Sequence, residues 1–486
     1  MIKTKIIATL GPASSGGEVM EALVEAGVNV FRLNFSHGTL ESHKSLLETI
    51  NQIRSSSAHG LAVMGDLCGP KIRTGIIEYE QQAPDGGPER RGNPSLRTGE
   101  EVIIQPNLEK GTPYRFGTNY ESFSQDVKPG DRVLIDDGQI ELIVVRAEND
   151  KKICRVQVGG FVSSHKGINL PDTEVSTSSI TARDWQCADW AIENKLDYLA
   201  LSFVRSAAEI LELKNYLQEK GSPIKVVAKI EKPQAVEHLE NIVQASDAVL
   251  VARGDLGVEM DLAQVPLIQK KITKLCRLLG KPVIVATQML QSMIEAAVPT
   301  RAEVSDVANA IMDFTDAVML SGETAVGKYP RQAVQTIRRI AGNTEAYLDE
   351  HSEPRPSIQA TEEMAVTATL ARSVAQMIDD LEVKLVLTWS QAGGTARLLS
   401  KSRIDVPIVA FSSDELFCRQ MSLHYGVIPV RAQLPKDTKE FIQAAEDLIL
   451  ERKWAKPLDK IIVLPGRGLA VPATSHAILL HTIEAK

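Results

Sequence analysis

Residues 225–257 read KVVAKIEKPQAVEHLENIVQASDAVLVARGDLG and contain two short apolar runs that each end in charged residues. Val-rich runs of this length, bounded by polar residues, are typical of strands buried on both faces of a parallel sheet. The first run ends at Lys229 and Glu231, and the second ends at Arg253 and Asp255. An unpaired buried charge is strongly penalised, so we expect these side chains at the carboxyl ends of the strands, where α/β barrels have their active sites.

Two carboxylates beside a fixed cation suit a magnesium site for phosphoryl chemistry. Mg²⁺ takes oxygen ligands and often needs only one or two carboxylates plus substrate oxygens. Glu231 and Asp255 are therefore candidate metal ligands, and Lys229 is a candidate partner of a phosphoryl group. Salt-bridged strand ends without a function explain the same residues, since structural ion pairs also place charges there. This stretch alone leaves both interpretations open.

Length and composition narrow the class of protein. At 486 residues, the chain is long enough for about two to four domains, and its 43% hydrophobic and 24% charged residues are ordinary for globular proteins. The formal charge of −8 argues against a general binder of nucleic acid or anionic membranes, but it leaves a local basic pocket for phosphates open. The five cysteines lack CxxC or Cys/His spacing, so we expect neither a disulfide framework nor a zinc site. Without a signal-peptide pattern or a bilayer-length apolar run, we expect a cytoplasmic protein.

Short Val/Ile/Leu-rich runs alternate with segments of helical periodicity, which is typical of repeated βα units. The pattern predicts eight strands, at about residues 4–10, 30–36, 61–67, 198–203, 225–231, 248–254, 282–288 and 317–321. Eight such units predict an α/β protein with a closed (β/α)₈ barrel.

Two further domains interrupt and follow the barrel. Between residues 75 and 166, turn signals such as PGD, DDG and NDKK separate short alternating runs, which predicts a small inserted β-barrel domain. A polar, proline-bearing linker at residues 350–357 precedes parallel-type strands that predict an open α/β domain. The predicted domains are a catalytic barrel at 1–74 and 167–348, a lid at 75–166, and a C-terminal domain at 355–486 that is a candidate for a regulatory role.

Other predicted barrel strands also end in polar side chains. The second strand places Arg32, Asn34 and Ser36 at alternate positions, and therefore on one face. The third, seventh and eighth strands are followed by further candidates: Asp66, Lys71, Arg73, Thr287, Ser321 and Glu323. Independent structural salt bridges would not be expected to gather at one rim, so the pattern favours a functional site.

These motifs together resemble the pyruvate kinase family. The resemblance rests on TKIIATLGPAS, FRLNFSHG, GDLCGPKIRTG, AKIE, VARGDLGVE, ATQML and SGETAVGKYP, which follow in this order around an inserted β domain. It is weaker in the inserted and C-terminal domains. The resemblance implies a glycolytic enzyme that transfers the phosphoryl group of phosphoenolpyruvate to ADP, giving pyruvate and ATP, and it implies a homotetramer.

The resemblance also implies roles for individual residues. Glu231 and Asp255 match the ligands of Mg²⁺ or Mn²⁺. Substrate-binding and catalytic roles are implied for Arg32, Lys229, Gly254, Asp255, Thr287, Ser321 and Glu323, the last two matching a proposed proton relay. Nucleotide contacts are implied for Asn34, Arg73 and Arg183. Arg183 stands where the family usually has a lysine, so the charge is kept but its shape differs.

A monovalent-cation pocket is implied at Asn34, Ser36, Asp66 and Leu67. Family members that need K⁺ carry Thr-Lys-Gly-Pro-Glu after the third-strand aspartate, whereas members that do not need it carry Leu first and Lys last. Here the residues after Asp66 read Leu-Cys-Gly-Pro-Lys. We therefore expect the ammonium of Lys71 to replace K⁺ and the enzyme to be active with Mg²⁺ alone.

Rival functions and a possible effector site stay open. Another metal-dependent barrel enzyme of phosphoenolpyruvate or pyruvate, a lyase or aldolase, would need neither a nucleotide nor Arg73. A catalytically inactive sugar-phosphate sensor would not need Lys229, Glu231, Asp255 and Thr287 together. TWSQAGGTARLLSKSR, from Thr388, has the composition of a phosphate-binding loop before a helix, so a sugar-phosphate effector site and a plain helix start are both compatible with it.

Overall fold

The computed structural model describes residues 1–56, 60–78, 95–351, 358–359, 362–466, 469 and 476–484. Most of the predicted linker at 350–357 lies outside these residues. No helix in the described ranges is both long enough and apolar enough to cross a bilayer.

The chain begins with three barrel strands and two helices: β1 (Lys5–Thr9), α1 (Gly17–Ala26), β2 (Val30–Asn34), α2 (Leu40–Ser56) and β3 (Ala62–Asp66). Every residue of these strands is buried except Asn34, which is half-buried. Burial on both faces explains why the strands read as continuous apolar runs in the sequence.

The inserted segment forms its own β domain. Its elements are β4 (Ile76–Ile77), β5 (Glu101–Pro106), β6 (Lys110–Gly111), β7 (Arg115–Thr118), α3 (Phe123–Asp126), β8 (Arg132–Ile135), β9 (Ile140–Glu148), β10 (Lys151–Val158) and β11 (Ile168–Asn169). Six strands form a sheet in the order β11-β8-β9-β10-β5-β7, and β4 pairs with β6. Arg73 bridges to Gly167 beside one edge strand and Thr74 bridges to Thr118 of the other, so residues 73 and 74 link the two edges of the sheet. The sheet extends past residue 166, because Ile168 and Asn169 of β11 pair with β8. The sequence did not indicate this strand, since two residues are too few to show periodicity.

The second part of the barrel follows. Its strands are β12 (Tyr198–Leu201), β13 (Lys225–Ile230), β14 (Ala248–Ala252), β15 (Val283–Ala286) and β16 (Ala317–Leu320). Its helices are α4 (Ala182–Glu193), α5 (Ala207–Glu219), α6 (Pro233–Glu237), α7 (Leu239–Ala245), α8 (Arg253–Glu259), α9 (Val265–Leu278), α10 (Arg301–Met312), α11 (Gly322–Ala325) and α12 (Pro330–Glu350). The strands close in the order β1-β16-β15-β14-β13-β12-β3-β2, all parallel, which confirms the predicted (β/α)₈ barrel.

The C-terminal domain is an open α/β sheet, as predicted. Its elements are α13 (Ala365–Asp380), β17 (Val383–Trp389), α14 (Gly394–Lys401), β18 (Ile408–Ser412), α15 (Glu415–Met421), β19 (Val427–Arg431), α16 (Thr438–Glu451), β20 (Lys460–Leu464) and β21 (Leu479–Thr482). The strand order is β19-β18-β17-β20-β21, and only β21 runs antiparallel to its neighbour. The sequence did not predict β21, because four partly exposed residues carry too little pattern.

The C-terminal domain seals the amino-terminal end of the barrel. Leu423 is fully buried among inward-facing barrel side chains that include Ile7, Met64 and Leu250. Beside it, the Lys5 ammonium donates a 2.6 Å hydrogen bond to the carbonyl of Val427. We call the segment from Gln420 to Val427 the floor of the barrel.

Two buried carboxylates hold the floor in place. Asp316, directly before β16, lies 2.7 Å from Lys401 Nζ and 3.1 Å from Arg403 Nη2. Asp197, directly before β12, pairs with arginines from both domains, Arg54 and Arg419, at 2.7 and 2.8 Å. Both carboxylates are fully buried, so each depends on cations supplied by the C-terminal domain.

Candidate active site

The charged strand ends gather at one rim of the barrel around Lys229. Its ammonium lies 2.8 Å from Glu231 Oε1 and 3.3 Å from Asp66 Oδ1, and it donates to Ser202 Oγ at 2.7 Å. Burial by itself would lower the pKa of Lys229, but the carboxylates of Asp66, Glu231 and Asp255 outweigh it and raise the pKa above its usual value. The ammonium is therefore charged at any physiological pH.

Asp66 also holds the second predicted cation. Arg32 approaches Asp66 Oδ2 with Nε at 2.7 Å and Nη2 at 2.6 Å, and its Nη1 donates to Thr9 Oγ1 at 3.0 Å. Burial would raise the pKa of Asp66, but the charges of Lys229 and Arg32 together lower it. One buried carboxylate thus fixes two cations side by side, an arrangement suited to a phosphoryl group.

Glu231 and Asp255 are suited to a divalent cation. Glu231 Oε2 accepts a 2.7 Å hydrogen bond from the Phe203 amide. Burial raises the pKa of Glu231; the charge of Lys229 opposes this shift and the charge of Asp255 adds to it. Asp255 is exposed in the first turn of α8, and its carboxylate makes no hydrogen bond or ion pair with the described residues. A divalent cation would relieve the repulsion between the two carboxylates, so the pair fits Mg²⁺.

Thr287, another predicted residue of the site, is held in a strained backbone conformation. Its φ is +69°, in the left-handed region that β-branched residues rarely adopt. The amide of Gly254 donates to Thr287 Oγ1 at 2.7 Å, and Arg253 Nη2 donates to the Thr287 carbonyl at 2.9 Å. Arg253 is in turn paired with Asp306 at 2.6 Å. The surroundings therefore maintain the strain, as often found at functional sites.

Glu323 braces the ends of β15 and β16. It is buried, and its two oxygens accept hydrogen bonds from the Ser321 amide at 2.8 Å and the Leu290 amide at 3.0 Å. Ser321 precedes α11 and is half-buried. The two residues predicted as a proton relay are therefore neighbours at the same rim.

A cleft of about 310 Å³ separates this rim from the inserted domain. Of the predicted nucleotide residues, Arg73 lines the cleft and donates from Nη1 to the His165 carbonyl at 2.7 Å. Asn34 and Arg183 lie at the end of β2 instead, where Arg183 Nη2 is 3.5 Å from the Phe35 carbonyl. The cleft is also lined by basic residues that the sequence did not single out: Lys166, Arg205 and Lys232. Lys232 directly follows Glu231 in the sequence, so its place next to a candidate metal ligand could have identified it as a residue of the site.

Three of the four predicted ligands of the monovalent-cation pocket have oxygens engaged by the protein: Asn34, Asp66 and Leu67. Asn34 Oδ1 accepts from the Ser36 amide at 3.1 Å, and the Leu67 carbonyl accepts from Ser202 Oγ at 2.7 Å. Lys71 is exposed along the cleft, and no hydrogen bond joins its ammonium to these oxygens in the described part of the chain. Partial loss of hydration, and then the charge of Lys229, lowers the pKa of Lys71. The Lys71 ammonium thus lies within electrostatic reach of the rim.

Two hydroxyls of the site were missed. Thr9 and Ser202 are the neutral partners of Arg32 and Lys229, and both are buried. Each stands at the end of a predicted strand, the same position that identified the charged candidates. Their position at strand ends is the signal that could have identified them, but a hydroxyl there is also compatible with a bond to its own backbone.

The predicted phosphate-binding loop of the C-terminal domain borders a second cavity, of about 610 Å³. Ser390, Gln391 and Thr395 line it, together with Trp389 and His476. The loop turns into α14 through Gly393, whose φ of +79° requires glycine.

Comparisons with known proteins agree with this geometry. The family model described as pyruvate kinase, barrel domain, matches residues 1–334, and the model described as pyruvate kinase, alpha/beta domain, matches residues 368–480. This chain belongs to the pyruvate kinase family. Pyruvate kinases of Staphylococcus aureus strains MRSA252 and USA300 are each 40% identical to it over 490 residues, which cover 99% of this chain and 81% of each relative. The crystal structure of a pyruvate kinase from Cryptosporidium parvum matches with a TM-score of 0.87 at 32% identity, covering 99% of this chain and 96% of that one.

Membership confirms the resemblance seen in the barrel motifs and, with it, an enzyme of the phosphotransferase class. Pyruvate kinases generally use Mg²⁺ and K⁺. Because the two family models match both the barrel and the C-terminal domain, the likeness extends beyond the motifs of the rim.

Proposed function

We propose that the chain transfers the phosphoryl group of phosphoenolpyruvate to ADP, giving pyruvate and ATP. The buried cluster around Asp66, in which Arg32 and Lys229 stand beside Glu231, supports this proposal most strongly. Phosphoryl transfer requires positioning and charge stabilisation more than covalent chemistry, and two cations fixed by one carboxylate supply both. Their orientation precedes substrate binding, so little reorganisation is needed during the reaction.

Glu231 and Asp255 would hold the divalent cation, Mg²⁺ or Mn²⁺. When bound, the ion would act as a Lewis acid toward substrate oxygens. The Gly254 amide would face the substrate carboxylate, since it lies in the first turn of α8 beside Asp255. Asp66 is already committed to Arg32 and Lys229, which supports assigning the metal to the other two carboxylates.

Protonation of the enolate would take place near Thr287. Its hydroxyl already accepts from Gly254 and donates to the Ala286 carbonyl at 2.6 Å, so its orientation is fixed at the rim. Ser321 and Glu323 would relay the proton, since they stand at the end of the neighbouring strand β16. Both Glu323 oxygens accept backbone hydrogen bonds, which fix the carboxylate at this rim.

The inserted domain would act as a lid over ADP in the 310 Å³ cleft. Closure would exclude water, so the phosphoryl group would go to the nucleotide. Arg73 would contact the nucleotide phosphates, with Asn34 and Arg183 contributing from the end of β2. The predicted division is a barrel at 1–74 and 167–348, a lid at 75–166 and a C-terminal domain at 355–486, and we extend the lid to Asn169 because β11 belongs to its sheet.

The remaining assignments concern regulation and assembly. The 610 Å³ cavity is the place for a sugar-phosphate effector, because hydroxyl and amide groups of Ser390, Gln391 and Thr395 line it. A homotetramer agrees with the large apolar side chains that are exposed at Leu262, Leu267 and Val298, to 72%, 67% and 70%. We also assign the enzyme to the cytoplasm and expect no added K⁺ to be needed.

Pyruvate formation from phosphoenolpyruvate and ADP, measured with lactate dehydrogenase and NADH, together with ATP formation, measured with luciferase, tests the function. We expect turnover that requires both substrates and a divalent cation. Consumption of phosphoenolpyruvate without ADP would instead indicate a lyase or aldolase. Absence of turnover together with sugar-phosphate binding would indicate a sensor.

A further inference from the structure

Glu259, the last residue of α8, is buried and receives donors from two sides. Asn169 Nδ2, from β11 of the inserted domain, donates to Glu259 Oε1 at 2.8 Å, and the ammonium of Lys232 pairs with the same oxygen. Glu259 is only 2% exposed, yet its Oε2 has no hydrogen-bonding partner in the described part of the chain. We call Asn169, Lys232 and Glu259 the α8 joint.

The α8 joint lies directly behind the two carboxylates assigned to the metal. Asp255 stands one helical turn before Glu259 on α8, and Lys232 is the next residue after Glu231. The Lys232 ammonium also lies 5.8 Å from the ring centroid of Phe203, whose amide holds Glu231. A shift of Glu259 would therefore change the positions of both Glu231 and Asp255.

The same joint is a contact of the inserted domain. Asn169 ends the last strand of that domain and pairs with Leu134 of β8. Gly138, in the turn between β8 and β9, also lies near this end of α8, since a Cβ added there would come within 3.9 Å of Val258 Cγ1. The inserted domain therefore touches α8 at its C-terminal end.

The other end of α8 is fixed to the barrel. Arg253 donates to the Thr287 carbonyl and is paired with Asp306. A helix of seven residues is thus held by the barrel at its first residue and by the inserted domain at its last residue, with Gly254 and Asp255 between them.

We propose that Glu259 is a positioning residue, through which the location of the inserted domain sets the spacing of Glu231 and Asp255. This inference rests on the proposed metal-holding role of these two carboxylates. When the inserted domain occupies the position seen here, Asn169 and Lys232 fix the end of α8 and bring Asp255 into place. When it moves away, Glu259 keeps only its pair with Lys232, the end of α8 is held less firmly, and the affinity for the divalent cation falls.

A purely structural joint explains the contacts less well. A buried carboxylate oxygen without a donor is unfavourable, and an apolar pair of similar volume would stabilise this position at least as well. Glu259 Oε1 is instead shared by a donor from the inserted domain, Asn169, and by Lys232, the residue after Glu231. It therefore links the position of the inserted domain to the position of the proposed metal ligands.

The test uses the full chain and Mn²⁺ as the probe. Asn169→Ala removes the inserted domain's hydrogen bond and leaves the Lys232–Glu259 pair intact. We expect the dissociation constant for Mn²⁺, measured by electron paramagnetic resonance, to rise three- to tenfold. Amide hydrogen exchange in residues 254–259 should become faster. Arg146→Ala, which removes an exposed ion pair with Glu148 elsewhere in the inserted domain, is the matched control and should change neither quantity.

A second variant separates coupling from loss of stability. Glu259→Gln should weaken Mn²⁺ binding by a similar factor, and adding Asn169→Ala should weaken it little further because both changes break one joint. Additive losses, or a lower melting temperature with unchanged Mn²⁺ affinity and α8 exchange, would overturn the proposal. Failure of the unmodified chain to bind Mn²⁺ would refute the metal assignment, whereas α8 exchange in Asn169→Ala would still decide the coupling.

Discussion

At the scale of single residues, the site depends on how Asp66 divides its two oxygens. One oxygen faces Lys229 and the other faces Arg32, so neither cation is free to leave the rim. The same arrangement makes each cation a structural partner of a buried carboxylate. Substitutions here therefore act on catalysis and on folding together, and each experiment needs a stability measurement beside the rate.

Lys229→Met should abolish phosphoryl transfer. We assign the ammonium to charge that is greatest in the transition state, so phosphoenolpyruvate should still bind. Because Asp66 and Glu231 lose a buried counter-ion, we expect the free energy of unfolding to fall by about 3–5 kcal/mol. Turnover of the folded variant within tenfold of the unmodified enzyme would rule out this role. Lys229→Arg, which keeps the charge, serves as the comparison for stability.

Lys71→Glu should create a requirement for K⁺. The unmodified enzyme should be active with Mg²⁺ as the only added metal ion, since at roughly 4 Å a second cation would be repelled by the Lys71 ammonium by about 4 kcal/mol at a near-surface dielectric. Rates are compared in KCl and in tetramethylammonium chloride of equal ionic strength. Strong activation of the unmodified enzyme by KCl alone would contradict the prediction.

The charged residues of the site were predictable, whereas their neutral partners were not singled out. Lys229 and Glu231 interrupt apolar runs, and a charge in such a place demands an explanation. Thr9 and Ser202 end strands as well, but a hydroxyl can bond to its own backbone, so its presence there carries little information. The environment of Lys71 could not be predicted from the sequence either, because it depends on how the inserted domain lies over the rim.

At the scale of elements, α8 brings three parts of the site together within seven residues. Its first turn supplies Gly254 and Asp255, and its first residue, Arg253, holds Thr287 in its left-handed conformation. Strand β13 supplies the opposing carboxylate, Glu231, immediately after its last residue. The proposed metal site would therefore lie at the ends of two neighbouring strands, β13 and β14.

Replacing either metal carboxylate by its amide should raise the Mg²⁺ concentration needed for half-maximal activity. Glu231→Gln and Asp255→Asn each remove one negative oxygen ligand from a hard cation, so we expect an increase of at least tenfold. Glu25→Gln is the control, since it removes an exposed carboxylate of α1 that is paired with Arg331, away from the rim. A Mg²⁺ titration identical to that of the unmodified enzyme would remove the residue from the site.

The eight barrel strands were predictable because burial on both faces leaves an uninterrupted apolar signal. Strand β21 was not, since it is a four-residue edge strand with alternating partial exposure. Short strands such as β4 and β11 were equally beyond prediction. They form through tertiary pairing, and two residues carry no periodicity.

At the scale of the whole molecule, the contact between the barrel and the C-terminal domain is built on buried charge. Asp316 and Asp197 receive their cations partly from across this contact. Burial would raise the pKa of Asp316, but Lys401 and Arg403 together lower it. No sequence pattern predicts this contact between the two domains, because the residues of each ion pair are separated by tens to hundreds of positions in the chain.

His424 in the floor should make this contact sensitive to acid. Burial, and then the charge of Arg397, lowers the pKa of His424 to about 3, against an ordinary 6.5. Below pH 6.5 the unfolded chain binds a proton that the folded chain does not, so stability falls as the pH decreases. The expected slope is about 1.4 kcal/mol per pH unit. Melting temperatures between pH 7 and 5 should therefore fall less steeply in His424→Gln than in the unmodified chain or in His238→Gln, which alters an exposed histidine. Equal slopes in all three proteins would contradict the prediction.

The position of Leu423 has a consequence for biosynthesis. The last barrel strand ends at Leu320, so the residue that fills the amino-terminal end of the barrel is made about a hundred residues later. At about 5–20 residues per second, the ribosome takes on the order of ten seconds to add them. During that interval the nascent barrel lacks its lower seal, and its inner apolar layer is open to water or to a chaperone. A messenger truncated between the codons for Leu320 and Leu423 would therefore yield a chain with all eight barrel strands but without the residue that fills the amino-terminal end of the barrel.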